Sequence, residues 1–468
     1  MPHGRATASL ARFTHDLRAG DLPVGAIDAC ARLALDTVGS AIPAWDAPGV
    51  HELRALLGQW GRGPCRVWIA GEHLPPPAAT LVNSAMAHAL EYDDLHCELP
   101  IHSGVVVVPA VLAVAETLDA RGADAAAAIV AGTEVMCRLA RATRSYRGHA
   151  GFRGWNPTAV VAGFGAAAAA GRMLGLDAAG IARAMGLSYA QASGNQQCIE
   201  DGGLVKRMQP GLVAEAGVCA AWLAQAGVSG GINAIEGKNG FFAVYEGGDY
   251  DADVLTASLG DGFEIERLGF KRYPICGMAH PAVDALRDLQ AEHGFVEADV
   301  EQVEVHGSKF VVDMVGRPYR PGDSPDVDAQ FSLPYCLATV LRTGNMRLAD
   351  LRPEHTLDAE RHGLADRIPV LLDEGLHGKW TARVAVRLRD GRAFDRTRDK
   401  AAGQSDAPLS TGELCEKFAD SAAVAGPMLD ADAARRLADL LLELPRLKHL
   451  APLCDALVPG RPAAARAT

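Results

Sequence analysis

Histidines and carboxylates are concentrated between residues 88 and 102, in a stretch otherwise rich in alanine. His88 and Glu91 are expected to share a helical face, and Asp93 and Asp94 follow at the expected helix end, where the dipole disfavours anions. Placement against local preference is typical of functional sites, although a metal or a cap on the next helix would also explain it. This cluster, which ends at His102, is the first candidate site.

The cluster could bind a divalent metal or move a proton. Carboxylates and imidazoles are suitable metal ligands, but the segment contains neither of the helical pairs HxxxH and ExxH. A histidine titrates near neutral pH and therefore suits general acid–base work. We predict acid–base chemistry here, with no metal and no cofactor.

Three later segments place a polar residue directly before a proline that could open a helix. These polar residues are Asn156, Gln209 and His280. Proline fits the first turn of a helix, so each pair taken alone indicates a helix cap, most clearly at Asn156.

Two cation pairs accompany the second and third of these segments. Lys206 and Arg207 precede one, and Lys271 and Arg272 precede the other. Helix N-termini carry unpaired N–H groups and a positive dipole end. In a chain of net charge -12, such local positive charge predicts a pocket for a small acidic molecule.

The composition excludes several classes of protein. The 468 residues contain no run of basic residues of the kind that binds nucleic acid, and no apolar stretch of the roughly 20 residues needed to span a membrane. The N-terminus does not look like a secretory signal, so a cytoplasmic location is expected. The 10 cysteines lack zinc spacing, and no Rossmann, nucleophile-elbow or P-loop motif is complete.

Periodicity predicts a mainly α protein. Helical patterns, most of them alanine-rich, occur at residues 24–42, 78–91, 105–118, 123–144, 157–174, 178–192 and 210–225. Alternating apolar residues at 300–305 and 384–388 predict strands, the second followed by an Asp-Gly hairpin turn. We therefore predict a helical domain over residues 1–268, a smaller α/β domain over 269–400, and helices over 401–468 that rejoin the first domain.

Several segments together resemble the MmgE/PrpD family. They are His88-Ala89-Leu90-Glu91-Tyr92-Asp93-Asp94, His102-Ser103-Gly104, Trp155-Asn156-Pro157-Thr158-Ala159, Lys206-Arg207-Met208-Gln209-Pro210-Gly211 and Phe270-Lys271-Arg272-Tyr273-Pro274. The resemblance covers nearly the whole chain. It implies a large all-helical domain built from both termini, a smaller α/β lid, a homodimer, and a metal-free cleft that takes a small polycarboxylate.

The resemblance also implies site residues. The family's catalytic aspartate, histidine and two lysines match Asp93, His102, Lys206 and Lys271. The substrate-binding candidates are Asn156, Arg207, Gln209, His280, His149 and Tyr92.

Two positions depart from the family pattern. Family members often have histidine where this chain has Asn156, and often proline where it has Ser103. Because an amide cannot exchange a proton near neutral pH, any such step would pass to His102, His149 or water, or be absent.

The chemistry implied is proton abstraction beside a carboxylate, with His102 as base, Asp93 orienting it, and cations stabilising enolate-like charge. The first expectation is a cofactor-independent lyase that resembles 2-methylcitrate dehydratase. The alternatives are an epimerase of an iminodisuccinate-like acid and a cis-aconitate-type decarboxylase. A non-catalytic carboxylate-binding protein is the alternative from another class.

Overall fold

The computed structural model describes residues 6–144, 154–378 and 380–458. Its first part consists mainly of helices joined by short loops. They are α1 Ala6–Asp16, α2 Val24–Ala41, α3 Val50–Trp60, α4 Pro76–His88, α5 Gly104–Ala115, α6 Gly122–Ala142, α7 Pro157–Met173, α8 Ala178–Tyr189, α9 Gln197–Glu200, α10 Val205–Gln225, α11 Phe241–Tyr245 and α12 Ala252–Thr256. The mainly α prediction is confirmed.

Close helix contacts explain the alanine and glycine content of this part. In α7, a Cβ at Gly165 would lie 2.7 Å from the Gly132 carbonyl oxygen of α6, and a Cβ at Gly217 of α10 would lie 2.6 Å from Ala166 Cβ. Both distances are too short for real Cβ atoms, so glycine lets the helix axes approach. Gly165 and Gly217 therefore allow close packing between helices.

Two short antiparallel pairs accompany these helices. They are β1 Cys65–Arg66 with β2 His73–Leu74, and β3 Asp94–His96 with β4 Leu268–Phe270. In the second pair Asp94 lies opposite Phe270, so the residues just outside the ladder, Asp93 and Lys271, become neighbours across it. This pairing joins residues far apart in sequence.

A four-stranded sheet follows, in the order β6-β5-β7-β8. Its strands and associated helices are α13 His280–His293, β5 Val300–Gly307, α14 Lys309–Val315, α15 Pro325–Gln330, α16 Leu333–Thr343, α17 Pro353–Thr356, α18 Ala359–Ala365, β6 Val370–Leu372, β7 Ala382–Leu388 and β8 Ala393–Arg398. The predicted hairpin turn is present, with Gly391 at a φ of 90°. These elements enclose a hydrophobic core separate from that of the helices.

The C-terminal helices return to the first part of the chain. They are α19 Thr411–Ala425, α20 Ala431–Leu442 and α21 Ala451–Ala456. Leu437 and Leu441 share a core with Leu10 and Val38, and the Ile69 amide donates to the Leu457 carbonyl at 2.7 Å. Helix α19 begins with a capping box formed by Ser410 and Glu413. The exact domain boundaries stay a prediction.

Two local expectations were wrong. Helix α4 ends at His88, so Glu91 lies beyond it and does not share a helical face with His88. Helix α10 begins at Val205, so Pro210 lies inside the helix, where it removes one backbone donor, and not at its start. Among the described residues, no helix has both the length and the apolar character needed to cross a bilayer.

Candidate active site

The loop between α4 and β3 carries the first half of the site. Glu91 within it adopts a φ of 53°, a left-handed conformation that costs a non-glycine residue about 1–2 kcal/mol. Strain of this kind persists only where the surroundings enforce it and is concentrated at functional sites. Because of the turn at Glu91, the carboxylates of Glu91 and Asp93 contact two different, neighbouring groups of side chains.

Two histidines share one carboxylate oxygen. His88 Nδ1 lies 2.8 Å from Asp93 Oδ2, and His102 Nδ1 lies 3.0 Å from the same atom. The two imidazole rings meet edge to face, with their centroids 5.0 Å apart. His88 and Asp93 are buried, whereas the His102 side chain retains 21% exposure, so His102 is the member of this trio that a ligand can reach.

The tautomer of His102 follows from its acceptors. Its Nδ1 lies 2.6 Å from the Asp94 carbonyl oxygen, which can only accept, so Nδ1 carries the proton. In the neutral ring the lone pair is then on Nε2. The His102 amide donates to Thr158 Oγ1 at 3.2 Å, which anchors the ring's backbone. This arrangement suits His102 to act as a general base through Nε2.

Asp94 has a structural task. Its carboxylate accepts from the amides of Ser103 and Gly104, both at 3.0 Å, at the N-terminus of α5. The cap interpretation of the second aspartate is thus confirmed, because α5 supplies the unpaired donors that its carboxylate needs.

The charge state of the trio follows from its surroundings. Burial opposes ionisation of Asp93, but His88, Lys271 and His102 outweigh burial and hold its pKa well below the usual range. Burial lowers the pKa of His88 to about 3. At neutral pH the trio therefore consists of a carboxylate and a neutral His88 beside His102.

Two lysines converge on the same loop. Lys206, in the first turn of α10, forms an ion pair with Glu91 Oε1. Lys271, directly after β4, donates to Glu91 Oε2 at 3.0 Å and lies 3.5 Å from Asp93 Oδ1. Burial, together with the neighbouring Lys271 ammonium, lowers the pKa of Lys206 well below its ordinary value. The structure thus brings His102, Asp93, Lys206 and Lys271 together.

Three other candidates are engaged elsewhere. Arg207 is buried and pairs with Asp326. Both amide atoms of Gln209 bond to the backbone of Asn195. Asn156 caps α7 by accepting from the Ala159 amide at 3.3 Å, as the capping interpretation predicts. Their side chains hold the scaffold together, so the structure does not place them in the cluster.

The remaining candidates have different surroundings. The Tyr92 ring lies under the Lys417 ammonium, 4.0 Å from its centroid, and borders a cavity of about 370 Å³ beside α19. His149 lies outside the described residues. His280 is buried, with its ring against Tyr273 at a centroid distance of 5.1 Å.

The buried His280 makes stability depend on pH. Burial and Lys271 lower its pKa to about 3, below the value of about 6.5 expected in an unfolded chain. Because the unfolded chain then binds more protons, the free energy of unfolding falls as pH drops from 6.5 towards 3. We expect His280→Phe to reduce this slope by about 1.4 kcal/mol per pH unit between pH 6 and 4.

Urea unfolding at several pH values measures that slope. His51→Gln is the matched control, because His51 has a side chain that is 62% exposed. An identical slope in wild type and His280→Phe would contradict the assignment.

Candidate metal ligands exist in the same place. One ligand atom from each of His88, Asp93 and His102 lies within 4.8 Å of the others, a set that could hold a divalent ion. The Lys271 ammonium at 3.5 Å from Asp93 opposes a second cation there.

Sequence reasoning gave no role to Glu91, which bridges both lysines, or to His88, which shares Asp93. Both are in the acidic segment. The lysine pair is the signal that could have singled out a carboxylate of this segment, because two buried ammonium groups require a carboxylate between the two lysines.

Comparison with known proteins decides the family. The model of the MmgE/PrpD N-terminal domain matches residues 8–253, and that of the MmgE/PrpD C-terminal domain matches residues 273–444. The chain belongs to the MmgE/PrpD family. The resemblance predicted from the sequence segments is thereby confirmed.

Relatives in this family span almost the full length of the chain. A cis-aconitate decarboxylase of Aspergillus terreus is 27% identical over 476 residues, covering 96% of this chain and 95% of that protein. The cis-aconitate decarboxylase-like protein oryM of Aspergillus oryzae is 26% identical, covering 95% of each. The Homo sapiens cis-aconitate decarboxylase is 25% identical, covering 96% and 94%. The family therefore includes enzymes.

Proposed function

We propose that this protein is a lyase that moves a proton at a carbon beside a carboxylate of a small di- or tricarboxylate. The observation that carries the proposal is the His102 ring, whose Nδ1 is held by Asp93 and Asp94 and whose Nε2 is left as a base. The ammonium groups of Lys206 and Lys271 both contact Glu91, in the loop between α4 and β3. They would bind substrate carboxylates and stabilise the enolate-like charge.

Decarboxylation is the first reaction to test, because the relatives are named for it. In that reaction the bond to one carboxylate breaks, CO₂ leaves, and its electron pair forms an enolate beside a remaining carboxylate. Protonated His102 then delivers a proton to carbon.

A dehydratase would use the same groups, but His102 would accept a proton from carbon where a decarboxylase has it donate one. The His102 Nε2 would take the carbon-bound proton, and the electron pair would expel hydroxide, which takes a proton to leave as water. This second candidate is favoured by the His102 tautomer that the Nδ1 contacts define, because it leaves the lone pair of a neutral ring on Nε2.

Incubation with cis-aconitate, citrate-like and iminodisuccinate-like acids in D₂O, followed by NMR, distinguishes the candidates. We expect CO₂ release from cis-aconitate with one deuterium in the product. Loss of water from a citrate-like acid would instead establish a dehydratase, and label without net conversion an epimerase. No label and no turnover across the panel would leave the carboxylate-binding protein.

We propose that the chain forms a homodimer through α10. Val205, Leu212 and Leu223 of this helix are each exposed by more than two fifths. Spacings of seven and eleven residues place them along one helical face. We expect the molar mass from light scattering to be that of a dimer, and Leu212→Glu to halve it, whereas Leu118→Glu, a change at an exposed leucine outside α10, leaves it unchanged.

We propose that the site needs no metal, because the Lys271 ammonium already neutralises the Asp93 carboxylate. Activity that survives removal of divalent ions by a chelator is the expected result. A cytoplasmic location and the two-domain division stay predictions.

A further inference from the structure

A buried ion pair lies next to the loop between α4 and β3, which we call the acidic loop. The proposed reaction gives this pair no role. Lys417 of α19 is 7% exposed, and its Nζ lies 2.6 Å from Asp36 Oδ1 of α2, whose side chain is completely buried. The pair connects residues 381 positions apart.

The same ammonium group reaches the backbone of the acidic loop. Lys417 Nζ donates to the Tyr92 carbonyl oxygen at 2.5 Å, and Ser40 Oγ donates to it at 3.0 Å. This carbonyl belongs to the peptide group that contains the Asp93 nitrogen. Two donors therefore fix the plane of the peptide from which the Asp93 side chain extends.

We propose that Lys417 is a positioning residue for Asp93. By holding the Tyr92 carbonyl, it fixes the carboxylate that orients His102. This inference rests on the proposed function, in which Asp93 and His102 carry the proton transfer.

Energetic considerations support a positioning role. Replacing a buried ion pair by apolar residues of similar size is often neutral or stabilising, so stability alone does not require Lys417 and Asp36. The loop, in contrast, contains the left-handed Glu91 next to Tyr92 and needs an external restraint. Burial lowers the pKa of Lys417, and the charges of Asp36 and Asp93 oppose that shift, which places this cation within the field of the catalytic aspartate.

The test is the double variant Asp36→Leu with Lys417→Met, which removes both buried charges. We expect a melting temperature close to wild type and a kcat reduced on the order of tenfold to a hundredfold. The KM should stay unchanged, because Lys206 and Lys271 are intact. The downfield NMR resonance of the His102 Nδ1 proton, assigned with His102→Gln, should move upfield.

The matched control is Asp350→Leu with Arg361→Met, which removes a buried ion pair far from the acidic loop in sequence. It should leave both kcat and the His102 resonance unchanged. Ser40→Ala removes only the other donor to the Tyr92 carbonyl and should move the resonance in the same direction by less.

An unchanged kcat and an unchanged His102 resonance in the Asp36→Leu, Lys417→Met protein would overturn the proposal. The His102 resonance also tests the positioning role of Lys417 separately from the proposed function. If the wild type converts no carboxylate, the proposed function fails, whereas the NMR shift still decides whether Lys417 positions Asp93 and His102.

Discussion

His102→Gln is expected to lower kcat by about 10²–10⁴-fold with the fold intact, because general acid–base catalysis contributes that much. Glutamine keeps a polar side chain of similar reach but cannot exchange a proton near neutral pH. The KM should change little, since the lysines that bind carboxylates remain. Steady-state kinetics with the substrate found by the NMR panel, together with the melting temperature, measure the effect.

His51→Gln controls for the loss of a histidine, because His51 lies on the surface and pairs only with the exposed Asp46 among the described residues. Its kcat should equal that of the wild type. Normal turnover by the His102→Gln protein would show that another group transfers the proton.

Lys271→Met is expected to have the second large effect, on both activity and stability. It removes the ammonium group that bonds to Glu91 and lies beside Asp93, so two buried carboxylates lose a counter-charge. Breaking a buried pair in this way costs about 3–5 kcal/mol of stability. Loss of a fixed cation beside the developing charge should lower kcat/KM by about 10²–10³-fold.

Adding Glu91→Gln to Lys271→Met separates the two effects. The double variant should recover part of the lost stability in urea unfolding, because it replaces a buried carboxylate that has lost one of its two lysine partners by a neutral amide, while kcat/KM stays low. Lys309→Met, at a lysine whose side chain is 76% exposed, is the control and should resemble the wild type in both. Full activity of Lys271→Met would exclude this lysine from substrate binding.

The fold was largely predictable from local patterns. The spacing of apolar residues indicated α2 and α7 to within one residue at each end, and alternation indicated β5 and β7. The first residue of a helix was predicted less accurately where a proline was taken to mark the helix start. Pro210 lies inside α10 because tertiary packing of the alanine- and glycine-rich face outweighs the loss of one backbone hydrogen bond.

The site was predictable only in part. The acidic segment and the two lysines were recognisable from residue type, but the pairing of β3 with β4 that makes Asp93 and Lys271 neighbours is a non-local contact without a sequence signal. The same limit applies to Lys417, which nothing near it in sequence marks as part of the site. Arg207 is the opposite case. Its guanidinium was expected to bind the substrate, but in the structure it pairs with Asp326.

The 381 positions between Asp36 and Lys417 matter for biosynthesis. At roughly 5–20 residues per second, about 20 to 80 seconds separate the translation of these two residues. During that interval the nascent chain exposes the apolar face of α2 that α19 later covers. We expect ribosome-bound or prematurely terminated products lacking α19 to be retained by chaperones and degraded by proteases, without any partial turnover.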